Sequence, residues 1–276
     1  MYLEKLRLDD RVALVIGCGG GGMGTQTSLA LAEAGATVVG VDVSADQVQD
    51  TQDRVTAAGG RFEGFTADAE DLGAVRDIVQ HAWDEFGAIH HLVNVVGGSR
   101  MGEWFRTEEL PEDVFDSVIR FNLRTHFLSC REVARRQIES GVRGSIVNYG
   151  SIGGTHSLPY QIAYGAAKAA VMNMTRTMAV EWGPHGIRVN ALAPGGGIET
   201  PRLMARADTS AGSVYDAATW NPLGRKLKPE EVASVALFLI SDLASMITGQ
   251  TVTVDAGVTS RMPSGGLERW APYLPG

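Results

Sequence analysis

The stretch VIGCGGGGMGT spans Val15–Thr25 and holds six glycines in eleven residues. It continues the apolar run VALVIG (12–17), a mostly branched segment of the kind that forms a strand buried on both faces. A glycine-rich turn that ends such a strand and opens a helix turns backbone N–H groups and the positive end of the helix dipole toward a phosphate. Several spacings can be drawn through the run. Gly17, Gly19 and Gly22 fit G-x-G-x-x-G, while Gly17, Gly22 and Gly24 fit a second pattern with one residue too many.

Outward from this turn, strand-like and helix-like segments alternate. A helix is predicted over 25–34, stopped by Gly35, followed by a strand at 36–43. Ser44 is placed to cap the next helix, which ends near Gly59-Gly60. Strands follow at 61–68, 89–97, 144–150, 187–195 and 250–257, with helices at 71–86, 111–140, 160–182 and 229–241. Repeated strand–helix–strand units require crossovers, so the pattern predicts a single-domain α/β Rossmann fold: a doubly wound parallel sheet of about seven strands with helices on both faces. One domain is expected over 1–276, with its core at about 8–258, a substrate-loop region at 196–228 and an extended tail at 261–276.

Composition narrows the class. With 44% hydrophobic residues a sizeable core is available, and a net charge of −8 argues against nucleic acid or an anionic membrane as partner. Cys18 and Cys130 form neither a disulfide framework nor a metal spacing, and a reducing, cytoplasmic setting is expected. Residues 1–11 carry charges along their length, so no signal peptide is read there, and no apolar run reaches membrane-spanning length. No metal site is expected. Cys18 stands near a helix amino end, where a lowered thiol pKa is expected.

Asp42 ends the second strand, twenty residues beyond Gly22. A carboxylate there accepts hydrogen bonds from both ribose hydroxyls of an adenosine and repels a 2′-phosphate. No Lys or Arg lies between Val12 and Asp53 to offset that repulsion. The glycine run and Asp42 suit a methyltransferase as well as a dehydrogenase. The decision comes from AYGAAKAA, where Tyr164 and Lys168 are four residues apart and share one helix face. A free phenol titrates near about 10, and a neighbouring ammonium favours the phenolate, so the pair is a plausible proton-transfer device. Ser151 follows the strand GSIVNYG, where a hydroxyl polarises a carbonyl oxygen, and Asn122 sits in a predicted helix interior, a poor place for Asn without a task.

Over about residues 8–258 the chain resembles the short-chain dehydrogenase/reductase family. The resemblance rests on the glycine run, Asp42, Asp68, NVVG (94–97), GSIVNYGS, YGAAK, IRVNALAPG and GQTVTVDAG, all in the family's order. It implies an NAD-dependent oxidoreductase of secondary alcohols and ketones. Tyr164 is then the general acid/base, Lys168 lowers its pKa and binds the nicotinamide ribose, Ser151 holds the substrate oxygen, and Asn122 anchors a water in the proton relay. It implies cofactor contacts from Gly17, Gly22, Met23, Gly24, Asp42, Asp68, Asn94, Gly97, Tyr164, Lys168, Pro194, Gly195, Ile198 and Thr200. Gly19, Gly20 and Gly21 would form a bulge, one residue longer than the family's T-G-x-x-x-G-x-G, with Ile16 in the threonine's place. The loop PGGGIET is also one glycine longer, His90 stands for a usual Asp, and Val95 and Val96 replace Asn-Ala.

The family meets its substrate through three variable stretches. Here these place Met101, Trp104, Phe105, His156, Leu158, Leu203, Met204 and Trp220 around a mostly apolar mouth, of which Met101, Trp104, His156, Leu203 and Met204 are the expected substrate contacts. A neutral alicyclic, terpenoid or steroid-like substrate follows. The competing reading is a carboxylate-bearing hydroxy or keto acid clamped by Arg100, Arg106, Arg202 or Arg206. A non-catalytic NAD-binding sensor is a third class, one expected to lack the Tyr or the Lys. The family's pairing of its two long helices, together with Val171, Met172, Met174, Met178 and Val180 on the second, implies a homotetramer.

Overall fold

A computed structural model describes residues 1–100, 102–195, 197–201 and 221–260. Seven strands form one sheet: β1 (Val12–Ile16), β2 (Thr37–Asp42), β3 (Arg61–Thr66), β4 (His91–Asn94), β5 (Gly144–Tyr149), β6 (Ile187–Pro194) and β7 (Thr251–Val254). The spatial order is β3-β2-β1-β4-β5-β6-β7, and every pairing is parallel. The order reverses between β1 and β4, and the crevice beyond their carboxyl ends is the ligand position such a sheet provides.

The two faces of the sheet are covered separately. Ala13 and Val15 join Leu31 of α1 (Met23–Glu33), Val55 of α2 (Ala45–Ala57) and Ala236 of α7 (Pro229–Ile240) in one core. Val12, Leu14 and Ile16 face the other core, with Ile78 of α3 (Leu72–Phe86), Val133 of α5 (Thr125–Ser140) and Met178 of α6 (Ile162–Trp182). This alternation is why β1 reads as an unbroken apolar run: each side chain is buried, whichever way it points.

Element order and type agree with the sequence reading, and the boundaries move. β3, β4 and β7 are shorter than expected, and α1 starts two residues earlier. Ser44 holds the N-cap position of α2 without a side-chain cap bond, whereas Asp71 caps α3 by accepting from Gly73 N and Ala74 N. The continuous helix expected over 111–140 is three pieces. α4 (Glu112–Ile119) and α5 are joined by a π turn, Arg120–Arg124, in which Thr125 N–H reaches back to the Arg120 carbonyl. The apolar surplus expected on α6 is also corrected: Val171, Met172 and Met178 are buried within the chain, and Val180 alone of the five is exposed, at 78%. No helix among the described residues is long and apolar enough to cross a membrane.

The glycine run sets the separation of β1 and α1. Gly17 takes φ +84° with its Cα against the backbone of Val96, and a Cβ on Gly24 would collide with the Gly17 carbonyl oxygen. Gly20 also has positive φ, +85°, but a Cβ there would meet only Gln47 Oε1 at 3.7 Å. Gly24→Ala is expected to destabilise the fold by about 1–3 kcal/mol, the range for overpacking. Gly20→Ala should cost about 1 kcal/mol, from its left-handed backbone alone. Urea midpoints of the two variants check this; equal losses would mean that the loop does not distinguish the positions.

Candidate active site

Lys168, in the second turn of α6, is buried to 2% exposure, and its Nζ donates to the Tyr149 carbonyl at the end of β5, 2.7 Å away. Burial lowers its pKa to about 7. Tyr164 lies one turn earlier on the same face, half-buried, with the Lys168 Nζ 6.0 Å from its ring centre. Ser151 follows β5 and opens a short 3₁₀ turn, Ile152–Gly154, its Oγ accepting from Gly153 N at 3.1 Å. That turn lies flat on α6: a Cβ on Gly154 would sit 2.7 Å from Ala169 N, and one on Gly165 would sit 2.9 Å from the Gly153 carbonyl. Ser151, Tyr164 and Lys168 are thereby brought to one end of the sheet.

Asn122 sits in the π turn, fully buried. Its Oδ1 accepts from Gly98 N at 2.7 Å, and its Nδ2 donates to the carbonyls of Gly98 and Val118, each at 3.1 Å. The carboxamide thus spends these bonds on protein and pins the chain after β4. Gly97, at φ +133°, has room for no side chain: a Cβ would lie 2.8 Å from Asn122 Oδ1 and 3.0 Å from Lys168 Nζ.

On the nucleotide side, Asp42 ends β2 with Oδ2 accepting from Gly19 N at 3.0 Å and Oδ1 from Ser44 N at 3.3 Å. Each oxygen keeps a lone pair for a further donor. Gly19, expected only as bulge, is therefore a structural member of the loop, and a Cβ there would lie 2.7 Å from Gln47 Cβ. Met23 opens α1, with Gly22 as N-cap. Thr200 and Pro201 close over the run, since Cβ atoms on Gly22 and Gly21 would meet them at 3.2 and 3.3 Å. Ile198 bridges Leu227, Pro194 ends β6, and Gly195 packs against Ile152. Asp68, exposed beyond β3, accepts from Glu70 N at 2.9 Å.

Asn94 is fully buried and turned inward, accepting from Ser129 Oγ at 2.7 Å and donating to Asn148 Oδ1 at 2.9 Å. One expectation changes. Cys18 is also fully buried, and burial, with the Asp42 carboxylate second, pushes its thiol up to about 12. This is opposite to the lowering expected at a helix amino end.

At the mouth, Trp104 is 37% exposed with its indole N–H on Ser99 Oγ, and His156 is exposed with Nδ1 2.9 Å from Thr155 Oγ1. The expected substrate contacts Met101, Leu203 and Met204, and with them Trp220, Arg202 and Arg206, lie outside the described residues, as does the tail 261–276. Arg100 stacks its guanidinium 3.8 Å from the Phe121 ring centre and lies 3.8 Å from Glu70. Residues that sequence reasoning passed over are Tyr160, in a left-handed backbone before α6, and Asp255, which caps the turn after β7. No group of His, Cys, Asp and Glu among the described residues could hold a metal.

The cradle fits a dinucleotide: side-chain-free turns at the amino end of α1, an oriented carboxylate at the end of β2, and a buried ammonium beside Gly97. Comparison with known proteins agrees. Residues 19–259 match a family model described as enoyl-(acyl carrier protein) reductase. Galactitol 2-dehydrogenase of Rhizobium johnstonii is 39% identical over 264 residues, covering 94% of this chain and 98% of that one. D-threitol dehydrogenase of Mycolicibacterium smegmatis is 35% identical over 254 residues, covering 92% and 94%. The structure of a 7α-hydroxysteroid dehydrogenase complexed with NADH and 7-oxo glycochenodeoxycholic acid superimposes with a TM-score of 0.84 at 29% identity, covering 92% of this chain and 96% of that one. With the ordered motifs, the parallel sheet and the Ser151, Tyr164 and Lys168 grouping, these likenesses make this chain a member of the short-chain dehydrogenase/reductase family, an oxidoreductase of alcohol and keto substrates.

Proposed function

We propose that the protein is an NAD-dependent dehydrogenase that moves a hydride between NAD(H) and a neutral, largely apolar cyclic secondary alcohol or its ketone. The observation that carries this reading is the placement of Tyr164 and Lys168 on one face of α6, with the ammonium held on the Tyr149 carbonyl. NAD, when bound, supplies the hydride acceptor; NADH supplies the donor. Tyr164 Oη takes the alcohol proton during oxidation and returns it during reduction, because the buried ammonium stabilises the phenolate. Ser151 Oγ holds the substrate oxygen beside it. Asn122 acts as a positioning residue, fixing Gly97 and Gly98 so that Lys168 has space at its head. Asp42, oriented by Gly19 and Ser44, takes the ribose hydroxyls and disfavours a 2′-phosphate.

Neutrality of the substrate is supported by Arg100, whose guanidinium is already engaged by Phe121 and Glu70. Homotetramer formation, in a cytoplasmic setting, also belongs to the proposal. Its apolar support lies with exposed Phe115 of α4, Phe127 of α5 and Val180 of α6. Sedimentation at micromolar protein checks it, and a monomer would refute it.

The test of the reaction is a panel of cyclic and acyclic secondary alcohols and their ketones, with and without a carboxylate, scored by nicotinamide absorbance. Tyr164→Phe should lower kcat by about 10²–10⁴-fold with NAD affinity kept, the loss typical of a missing acid/base. Retention of more than about a tenth of the rate would reassign the acid/base. NAD should be preferred over NADP by about tenfold or more, and Asp42→Ala should erode the preference, because one charge clash in a partly buried site exceeds about 1.4 kcal/mol.

Lys168 gives a pH test that needs no substrate. Its folded pKa, about 7, lies below the ordinary lysine value, so between about 7 and 10 the unfolded chain binds the extra proton. Wild-type stability should therefore gain a rising component as pH climbs through that window, and Lys168→Met should lack it. Urea midpoints at pH 7 and 9.5 measure the difference; parallel pH curves for the two proteins would mean that the ammonium carries no burial penalty.

A further inference from the structure

Among the described residues three non-glycine positions have positive φ: Asp10 at 60°, Tyr160 at 68° and Ala256 at 54°. The short carboxylate side chain of Asp10 belongs to a type that tolerates this region. Ala256 is enclosed by an Asp255 clamp, whose carboxylate accepts from Gly257 N, Thr259 N and Thr259 Oγ1 at 2.7–2.9 Å. Tyr160 has neither explanation. It is a bulky aromatic in a conformation that suits glycine, and it recovers little by packing, because it remains 57% exposed. Strain of this kind collects where a side chain has work to do outside the fold.

The position of Tyr160 indicates the work. It stands four residues before Tyr164, at the entrance to α6, and its carbonyl accepts from Phe105 N at 3.0 Å. That bond ties the segment after β4, which carries Trp104, to the segment that carries His156. Two exposed aromatic side chains, Trp104 and Tyr160, thus lie on segments joined at the approach to the proton-transferring phenol. An aromatic face recognises the C–H face of a ring and gains little from a short open chain.

Resting on the dehydrogenase reading above, we propose that Tyr160 is a specificity-determining residue: its left-handed backbone presents the ring at the mouth of the site, where it takes the C–H face of a ring-shaped substrate in preference to open-chain alcohols. A glycine at 160 relieves the backbone and deletes the face at once, so stability and specificity move in opposite directions.

The experiment compares wild type, Tyr160→Gly and Tyr160→Phe by melting temperature without ligand, and by kcat/KM on cyclohexanol, trans-cyclohexane-1,2-diol, 2-butanol and 2,3-butanediol. Tyr160→Gly should melt about 2 °C or more above wild type. It should lose about tenfold or more in kcat/KM on the cyclic pair, mainly through KM, and less than about threefold on the open-chain pair. Tyr160→Phe should keep the wild-type selectivity. A lower melting temperature for Tyr160→Gly, or an unchanged cyclic-to-acyclic ratio in an active variant, overturns the inference and leaves the dehydrogenase reading standing. A wild type inert on the whole alcohol and ketone panel with both nicotinamide cofactors removes that reading, and this inference with it.

Discussion

A single buried ammonium organises this molecule. Lys168 is brought into the interior by α6 and meets the carbonyl at the end of β5. A hydrogen bond to a charged group contributes about 1.5–3 kcal/mol, which offsets part of the desolvation that drives the pKa down to about 7. The remainder of the cost falls on the surroundings. Gly97 must carry no side chain, Asn122 must hold Gly98, and the turn after Ser151 must lie against α6 through Gly153, Gly154 and Gly165. Gly97 leaves space for the nitrogen itself, while Gly154 and Gly165 let the turn lie against the helix that carries it. The same nitrogen lies 6.0 Å from the Tyr164 ring centre, and a nearby ammonium favours a phenolate.

Beneath it lies a polar floor rather than an apolar one. Asn94 and Asn148 are register partners on β4 and β5, and they hydrogen-bond to each other. Ser129 of α5 donates to Asn94, and Asn148 donates to Thr175 of α6 at 3.1 Å. Four elements are locked in one register by groups that are all buried. Leaving any one of them unpaired would cost about 1–3 kcal/mol. Such a network penalises misregistered packing more than an aliphatic floor would, and Asn148 adjoins Tyr149, whose carbonyl accepts from Lys168.

Most of the fold was legible because strand, turn and helix each leave a local mark. Continuous apolar runs marked the strands, glycines marked the stops, and the Tyr–Lys spacing needed only a helix to become a pair. The failures have specific causes. A π turn adds one residue to a helix without breaking its apolar period over so short a span, so 111–140 read as one helix. Cys18 read as activated because its position along the chain is near a helix dipole; its exposure, which decided the matter, depends on the inward turn of its side chain toward β2. The bonds of Asn94 and Asn122 run to partners on other elements, Asn148 and Gly98, that no linear spacing reveals. The left-handed Tyr160 leaves no signal at all, since the residue type argues against the conformation that it adopts.

The two halves of the site are not independent. Arg100, after β4, stacks on Phe121 of the π turn and approaches Glu70, two residues beyond Asp68. Arg124 donates to the Glu70 carbonyl at 3.4 Å from the same turn. An exposed cation–π contact contributes about 0.5–1 kcal/mol and a surface ion pair about 0–1. Neither holds the rim rigidly, yet both must adjust if the segment after β3 moves. The π turn that carries Asn122 is thus in contact with both sides. It holds the space above Lys168 through Gly98, and it anchors Arg100 through Phe121. The same five-residue turn therefore fixes Gly98 through Asn122 and Arg100 through Phe121, a π insertion of the kind that often marks functional sites.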